Sequence, residues 1–161
     1  MIQLDKTDRQ ILDEIQRDAH ISNVALAEKV NLSPSPCSRR VRILEEAGVI
    51  DHYVALLNPK TVGLGVTSFI SVSLAHQVEE SLECFERCVA NLPEVMECYL
   101  VTGSADYQLR VMVPDLEAYE RFINKLTRVE GVSSIKSSIS MRQVSYSTVL
   151  PLGHLGDSTA K

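Results

Sequence analysis

The stretch from Ser22 to Gly48 restricts the fold of this chain more than any other, because it has the signals of two short helices separated by a tight turn. Ser22 stands before an apolar pattern as an N-cap residue does, and Ser33 followed by Pro34 marks the start of a second helix. Gly48 is placed to end that helix. The pattern predicts a helical hairpin whose second helix lies between Pro34 and Gly48.

A further helix is predicted ahead of the hairpin, from Asp5 to about Asp18. Asp5 with Asp8 three residues later resembles a capping box, in which each side chain accepts a hydrogen bond from the other residue's backbone N–H. The apolar stripe of this helix consists of Ile11, Leu12 and Ile15. Three helices with a short turn between the last two predict a helix-turn-helix unit of the winged-helix kind.

The second helix of the hairpin has two unlike faces. At about 100° per residue, Cys37, Val41 and Leu44 fall on one face, and Arg40 lies beside that apolar stripe. The opposite face carries hydroxyls and guanidiniums, which can bind guanine edges or phosphates in a DNA major groove. The solvated face of an ordinary helical hairpin would look similar. The candidate DNA contacts are Ser33, Ser35, Ser38, Arg39, Arg40 and Arg42.

The formal net charge of −5 argues against a general affinity for nucleic acid, but the acidity is unevenly distributed. Residues 1–60 hold eight bases and nine acids, whereas residues 61–161 hold eight bases and twelve acids. Three of the first eight bases lie within residues 39–42. A local basic patch of this kind can bind DNA if several copies act together.

The second half of the chain alternates between strand and helix patterns. Strands are predicted over residues 66–75, 95–102, 107–113 and 132–146, and helices over residues 79–90 and 114–129. The order βαββαβ is the split ferredoxin-like unit, so the whole chain has a predicted α+β fold. Both helices cover one face of the sheet. We therefore expect Phe69 and Leu109, on the other face, to be covered by a second copy in a homodimer.

These patterns divide the chain into four segments. Residues 1–50 form the helix-turn-helix domain, residues 51–64 a linker strand and hinge, residues 65–152 the ferredoxin-like domain, and residues 153–161 a tail. The linker strand is predicted from the alternating run over residues 49–57. Val149, Leu150 and Leu152 could pack against a neighbouring subunit.

Several classes of protein are not expected. The four cysteines have neither the spacing of a disulfide framework nor a third ligand for a metal site, so we expect reduced thiols. No nucleophile-base signature, Gly-rich phosphate loop or metal-ligand cluster appears, so we expect no enzyme activity, no metal and no cofactor. No apolar run reaches the length of a membrane span and the N-terminal residues are not a secretory signal, which favours the cytoplasm.

Three segments follow one another in an order and spacing typical of a known family. LDKTDRQILDEIQRDAH corresponds to an opening helix, and LSPSPCSRRVRILEEAGVI to a recognition helix with its exit strand. LPEVMECYLVTGSADYQLRVMVPDLEAYERFI corresponds to a regulatory centre with a Thr-Gly-x-x-Asp-Tyr turn. Over residues 2–152 the chain resembles the Lrp/AsnC family, the feast/famine transcriptional regulators.

The resemblance implies partners and a ligand. Members of the family bind promoter DNA through the helix-turn-helix and assemble through the second domain as dimers, commonly four dimers in a ring. They respond to a small effector, usually an amino acid, held between dimers near the Thr-Gly-x-x-Asp-Tyr turn. For this chain the resemblance implies that residues 65–152 bind the effector and hold a homodimer or octamer together.

An amino acid at this turn needs a carboxylate for its ammonium group, backbone N–H groups for its carboxylate, and a small apolar pocket. Asp106 can supply the first, the turn around Gly103 the second, and Leu100 or Met141 the third. Gly and Asp are also common in turns that bind nothing, and the serines of the last strand could equally face solvent. The candidate effector contacts are Leu100, Thr102, Gly103, Ser104, Asp106, Tyr107, Ser137, Ser138 and Met141.

We therefore expect a sequence-specific DNA-binding transcriptional regulator whose oligomeric state or DNA binding responds to an amino acid. One alternative is an architectural protein that wraps DNA with many copies of its basic patch. Another is a stand-alone amino-acid-sensing module. The expected partners are double-stranded promoter DNA, an amino-acid effector and further copies of the same chain, with no membrane.

Overall fold

The computed structural model describes residues 3–155, which form two compact units. The first contains the residues up to Ala55 together with the segment that begins at Ser145, and the second is Leu56–Val144. None of the helices described is both long enough and apolar enough to pass through a lipid bilayer.

The first unit contains three helices, α1 (Lys6–Arg17), α2 (Asn23–Lys29) and α3 (Pro34–Glu46). Asp5 caps α1, and the predicted capping box is confirmed. The Asp5 carboxylate accepts from the Asp8 N–H at 2.8 Å, and the Asp8 carboxylate accepts from the Asp5 N–H at 3.0 Å. Ser22 caps α2 through its hydroxyl, which accepts from the Ala25 N–H.

The turn between α2 and α3 depends on residues that tolerate unusual backbone. Asn31 has a φ of 56°, a left-handed conformation that asparagine adopts more readily than most residues. Ser33 is the N-cap residue of α3, but its side chain makes no capping hydrogen bond. Pro36, at the third helical position, has no N–H to donate. The Asn23 side chain instead donates to the Pro34 carbonyl at 2.8 Å and ties the two helices together.

The three helices bury one apolar core, and the end of the chain returns to it. The core contains Ile11, Leu12, Ile15, Leu26, Ala27, Val30, Cys37 and Leu44. Leu152 packs against this core, and the Leu150 N–H donates to the Gln16 side chain at 2.6 Å. The expectation that Leu152 packs against a neighbouring subunit is therefore wrong, because its own chain supplies the apolar surface. Most of the predicted tail, residues 156–161, lies outside the described residues.

The predicted linker strand over residues 49–57 is wrong. The structure places no strand between α3 and Val66, and Tyr53, Val54, Leu56 and Leu57 are exposed. A strand needs a neighbour for its backbone N–H and C=O groups, and the described part of this chain places none beside the segment.

The second unit is one four-stranded antiparallel sheet with two helices. Its elements are β1 (Val66–Leu74), α4 (Glu79–Ala90), β2 (Val95–Leu100), β3 (Tyr107–Val113), α5 (Leu116–Leu126) and β4 (Val132–Ile139). The strand order β2-β3-β1-β4 and the element order βαββαβ confirm the predicted α+β, ferredoxin-like arrangement.

The last strand ends earlier than predicted, at Ile139 instead of residue 146. Ile139 pairs with Ser68, and the Ser140 N–H donates to the Thr67 carbonyl at 2.8 Å. Beyond that point only Val66 is left of β1, so residues 141–146 leave the sheet.

One face of the sheet carries the core of the second unit. Ile70 lies directly opposite Leu109, and both are fully buried in the same cluster as Phe85 and Phe122. The expectation that Leu109 lies on the uncovered face is therefore wrong, because it shares the helix-covered face with its neighbour Ile70. Phe69 does lie on the other face and is 44% exposed.

The uncovered face is largely polar. Phe69 is paired with Arg110, whose guanidinium donates to the Glu97 carboxylate at 2.6 and 2.9 Å. The Ser71 hydroxyl donates to the Gln108 side chain at 2.9 Å. This face therefore presents isolated apolar side chains among hydrogen-bonded polar ones.

A matched pair of leucines on α5 tests where the core lies. Leu126 is fully buried, whereas Leu116 is 62% exposed. We expect Leu126→Ala to lower the free energy of unfolding by about 2–5 kcal/mol, because it removes buried methyl groups and leaves a cavity. Leu116→Ala should change it by less than about 0.5 kcal/mol. Urea unfolding at one fixed protein concentration measures both, and equal effects would contradict the placement of the core.

Candidate nucleic-acid interface and ligand site

Helix α3 buries apolar side chains on one side and presents polar ones on the opposite side, as the sequence predicts, although Ile43 is also exposed. Cys37 and Leu44 are buried in the core of the first unit, and burial raises the pKa of the Cys37 thiol. The opposite side of α3 is exposed to solvent at Ser35, Ser38, Arg39 and Arg42. The structure therefore brings these four predicted contacts together on one accessible helix surface, which we call the outward face.

The two arginines of the outward face are largely free. Arg42 is 70% exposed and makes one long ion pair along the helix, 3.4 Å from its Nε to the Glu46 carboxylate. An exposed pair of this kind contributes little and gives way easily to another anion. No ion pair within residues 3–155 involves Arg39. Both guanidiniums can therefore bind phosphate or base edges.

Arg40 is engaged elsewhere. Its Nη1 donates to the Asp5 carboxylate at 2.8 Å and to the Asp8 carboxylate at 2.7 Å, and so joins α3 to the start of α1. These bonds raise the pKa of Arg40. Burial raises the pKa of Asp5, but the Asp8 N–H and Arg40 outweigh it, so the pKa lies below its usual value. The structure thus separates Arg40 from the free arginines beside it.

The predicted effector turn is well defined. Gly103 has a φ of 124°, which favours glycine, and the Val101 N–H donates to the Asp106 carbonyl at 2.8 Å to close the loop. Thr102, Gly103 and Ser104 are exposed, as is Leu100 at the end of β2. Four predicted contacts therefore lie side by side with accessible backbone.

Asp106 has a different environment from the one the sequence suggested. It is 9% exposed, and its carboxylate accepts from the Leu74 N–H at 2.7 Å and from the Gln77 side chain at 2.6 Å. The carboxylate thereby ties the turn to the end of β1 and to the loop that follows it. This geometry gives Asp106 a structural role, the alternative that the sequence left open.

Tyr107 is buried beneath α4. Its hydroxyl donates to the Glu86 carboxylate at 2.8 Å, and its ring lies 4.5 Å, centroid to centroid, from that of Phe85. Burial and Glu86 raise the pKa of Tyr107. A cavity of about 370 Å³ lies beside this pair, and its apolar lining includes Val89, Val95 and Leu100. No sequence signal links Glu86 to Tyr107, because they are 21 residues apart on different elements.

The remaining predicted effector contacts lie far from the turn within one chain. Ser137 pairs with Ile70 on β1, so β4 is separated from β3 by two strand spacings, about 10 Å. Ser138 lies further from the turn than Ser137, and Met141 follows the opposite end of β4 and is 96% exposed. One chain therefore does not bring these three residues to the turn.

Neither unit offers a metal centre in the described part of the chain. Within residues 3–155 no three His, Cys, Asp or Glu side chains come together as metal ligands would. The four cysteines are free thiols, of which Cys88 and Cys98 are exposed. The accessible chemistry is that of a basic helix face and of a turn with free backbone groups.

Comparison with known protein families shows which kind of protein combines a basic helix face with a turn of this kind. Residues 4–51 match the family model of a winged helix-turn-helix DNA-binding domain, and residues 67–150 match that of the Lrp/AsnC ligand binding domain. The chain belongs to the Lrp/AsnC family. It is an effector-responsive transcriptional regulator, in which a DNA-binding unit is joined to a ligand-binding domain.

Individual relatives agree over nearly the whole chain. The leucine-responsive regulatory protein of Escherichia coli K12 is 41% identical over 148 residues, which are 91% of this chain and 90% of that protein. A transcriptional regulator of Neisseria meningitidis, crystallised as a complex with L-methionine, is also 41% identical. The match has a TM-score of 0.91 and covers 94% of this chain and 99% of that one.

A more distant member supports the same family fold. The feast or famine regulatory protein of M. tuberculosis, also complexed with L-methionine, is 29% identical with a TM-score of 0.80. The match covers 92% of this chain and 98% of that one.

The role of Asp106 can be tested by its removal. We expect Asp106→Ala to lower the free energy of unfolding by about 1.5–3 kcal/mol, because the buried Leu74 N–H loses its charged acceptor. Ser104→Ala, an exposed change in the same turn, should alter it by less than about 0.5 kcal/mol. Chemical denaturation measures both variants. An Asp106→Ala protein as stable as the wild type would contradict the structural role of the carboxylate.

Proposed function

We propose that this protein binds promoter DNA through the outward face of α3 and that an amino acid bound at the turn of the second unit changes that binding. The separation of faces on α3 is the observation that supports the first part most strongly. Ser35, Ser38, Arg39 and Arg42 are exposed, whereas Cys37 and Leu44 hold the helix in its core. The proposal assigns no catalytic residue, and the relatives named above are transcriptional regulators.

The charges along α3 favour one orientation in the groove. Its N-terminal half carries the hydroxyls and Arg39, whereas its C-terminal end carries Glu45 and Glu46. Glu45 accepts from the Tyr53 hydroxyl at 2.8 Å. Carboxylates repel phosphates, so we place the N-terminal half of α3 in the major groove, with Arg39 and Arg42 on base edges or phosphates.

We propose that several copies of the chain bind DNA together. One outward face offers only two free arginines, and the whole chain has a net charge of −5. Most nonspecific affinity comes from phosphate neutralisation, so one copy would bind weakly. A homodimer, and an octamer of four dimers, would supply further faces. Phe69 and Tyr99, half-exposed on the uncovered sheet face, are the apolar side chains that a second copy would cover.

The turn of the second unit suits an amino acid with an apolar side chain. The exposed backbone at Thr102, Gly103 and Ser104 can donate to a carboxylate, and Leu100 beside it offers apolar contact. Two relatives are complexes with L-methionine, and another is named leucine-responsive. We propose that Ser137, Ser138 and Met141 contribute only if they come from a neighbouring copy, because one chain keeps them away from the turn.

Effector and DNA are then linked through the assembly. An effector alters DNA binding only if it prefers one arrangement of the copies over another. Because its partner is promoter DNA, we place the protein in the cytoplasm.

The two arginines test the DNA contact. We expect Arg39→Ala and Arg42→Ala each to weaken binding to a selected duplex by about fivefold to a hundredfold, because one contact to a base or phosphate is worth about 1–3 kcal/mol. Removal of one phosphate contact should also flatten the salt dependence of the binding constant by about 0.9 in log–log slope. The duplex is first selected from a random library by the wild-type protein, and affinities are measured by gel shift.

Arg121→Ala is the matched control for these variants. Arg121 lies on α5, is exposed and pairs with Glu117 at 2.7 Å, so its loss changes net charge equally without touching α3. We expect its affinity to stay within about twofold of the wild type. Equal losses from Arg121→Ala and Arg39→Ala would contradict the assignment to α3.

A screen of the twenty amino acids tests the effector. An amino acid that binds the folded protein stabilises it by RT ln(1 + [L]/Kd), about 2.7 kcal/mol at one hundred times Kd. We expect methionine, leucine or a similar apolar amino acid to raise the unfolding temperature and to shift the gel-shift titration. Absence of any shift across the panel, with DNA binding intact, would contradict an amino-acid effector.

A further inference from the structure

Arg40 lies where the outward face of α3 meets the start of α1, and its contacts point to a role distinct from that of its neighbours. We propose that Arg40 is a positioning residue, which sets the orientation of α3 through Asp5 and Asp8 and thereby the preference for one DNA sequence, without touching DNA. The inference rests on the proposed DNA-binding function and adds a determinant that lies away from the DNA.

The two carboxylates are fully engaged. Each Asp uses one oxygen for the backbone N–H of the other, at 2.8 and 3.0 Å, and its second oxygen for Arg40, at 2.8 and 2.7 Å. All four oxygens are therefore occupied, and Arg40 bonds to a corner that the capping box has already made rigid. A charge-assisted bond to a fixed acceptor restricts direction more than a bond to a mobile side chain.

The same corner forms one wall of a groove beside the outward face. The groove has a volume of about 630 Å³, and Asp5, Asp8, Ser35 and Arg39 line it. A shift of α3 relative to this corner would move Arg39, the preceding residue on the helix. Arg40 also offsets part of the negative charge of two carboxylates that would otherwise repel phosphate more strongly close to Arg39. Geometry and charge therefore assign Arg40 the same supporting role.

Whether one substitution raises or lowers DNA affinity distinguishes the two roles that Arg40 could have. Asp8→Asn removes a negative charge but leaves an amide oxygen that can accept from the Asp5 N–H. If Arg40 were a DNA contact restrained by Asp8, the substitution would free it and tighten binding to every duplex. If Arg40 positions α3, the substitution loosens the helix, and binding to the selected duplex weakens although the protein has become less acidic.

The experiment compares Kd for the selected duplex with Kd for a scrambled duplex of equal length, at one salt concentration. We expect Asp8→Asn to lower the ratio of selected to scrambled affinity about tenfold, with the scrambled duplex bound equally or more tightly. Asp13→Asn is the control, because Asp13 lies on the same helix and, among residues 3–155, its carboxylate forms one ion pair, with Arg9 at 3.9 Å. Its ratio should remain that of the wild type.

The ratio of the two affinities distinguishes a shift of α3 from a loss of folded protein. Loss of folded protein would weaken binding to both duplexes equally and leave the ratio of affinities unchanged. A change in the ratio therefore reports the position of α3 and not the stability of the protein. Should Asp8→Asn fold poorly, Asp5→Asn replaces it, because Asn is as good an N-cap residue as Asp.

The salt dependence of the binding constant is a second measurement. Arg40→Met should keep the wild-type log–log slope, whereas Arg39→Met should lower its magnitude by about 0.9.

A tighter complex with both duplexes for Asp8→Asn, or equal slope losses for the Arg40 and Arg39 variants, would overturn the inference. A wild-type protein that selects no duplex would instead overturn the proposed DNA-binding function, so the two failures are distinguishable.

Discussion

Helix α3 has to meet two demands with thirteen residues. It must bury Cys37 and Leu44 in the core of the first unit, and that requirement fixes its rotation about its own axis. Once the rotation is fixed, the 3.6-residue period sends Ser35, Ser38, Arg39 and Arg42 to the opposite side. The accessible chemistry of the first unit is therefore a consequence of its packing, and the caps on α1 and α2 hold the surrounding helices in place.

The architecture of the second unit follows from a similar requirement, the burial of one face of its sheet. Its sheet buries only the face that carries Ile70 and Leu109, and the helices α4 and α5 supply the cover. The Asp106 carboxylate joins the turn after β2 to the end of β1, which leaves the backbone at Gly103 exposed in a fixed shape. A buried carboxylate with both oxygens bonded can therefore shape a ligand site without contacting the ligand.

The sequence allows prediction of what depends on neighbours along the chain, and much less of what depends on distant pairing. The Asp5–Asp8 capping box, the faces of α3 and the order βαββαβ all follow from local spacing and period, and the structure confirms them. The bonds from Arg40 to Asp5 and from Tyr107 to Glu86 join residues far apart in sequence, so no local pattern indicates them. The strand predicted over residues 49–57 is wrong for the same reason. Alternation of apolar and polar residues indicates a strand, but it does not show which neighbouring strand would pair with its backbone.

DNA cleavage by a reagent attached to the outward face of α3 would show whether that face lies against the duplex. An iron–EDTA reagent is attached at Ser38→Cys, in a chain whose Cys84, Cys88 and Cys98 are replaced by serine while the buried Cys37 remains. We expect strand cleavage inside the selected site from position 38, and none there when the reagent is attached at Glu117→Cys on α5. A bound duplex that is not cleaved from position 38, or is cleaved equally from position 117, would contradict this expectation.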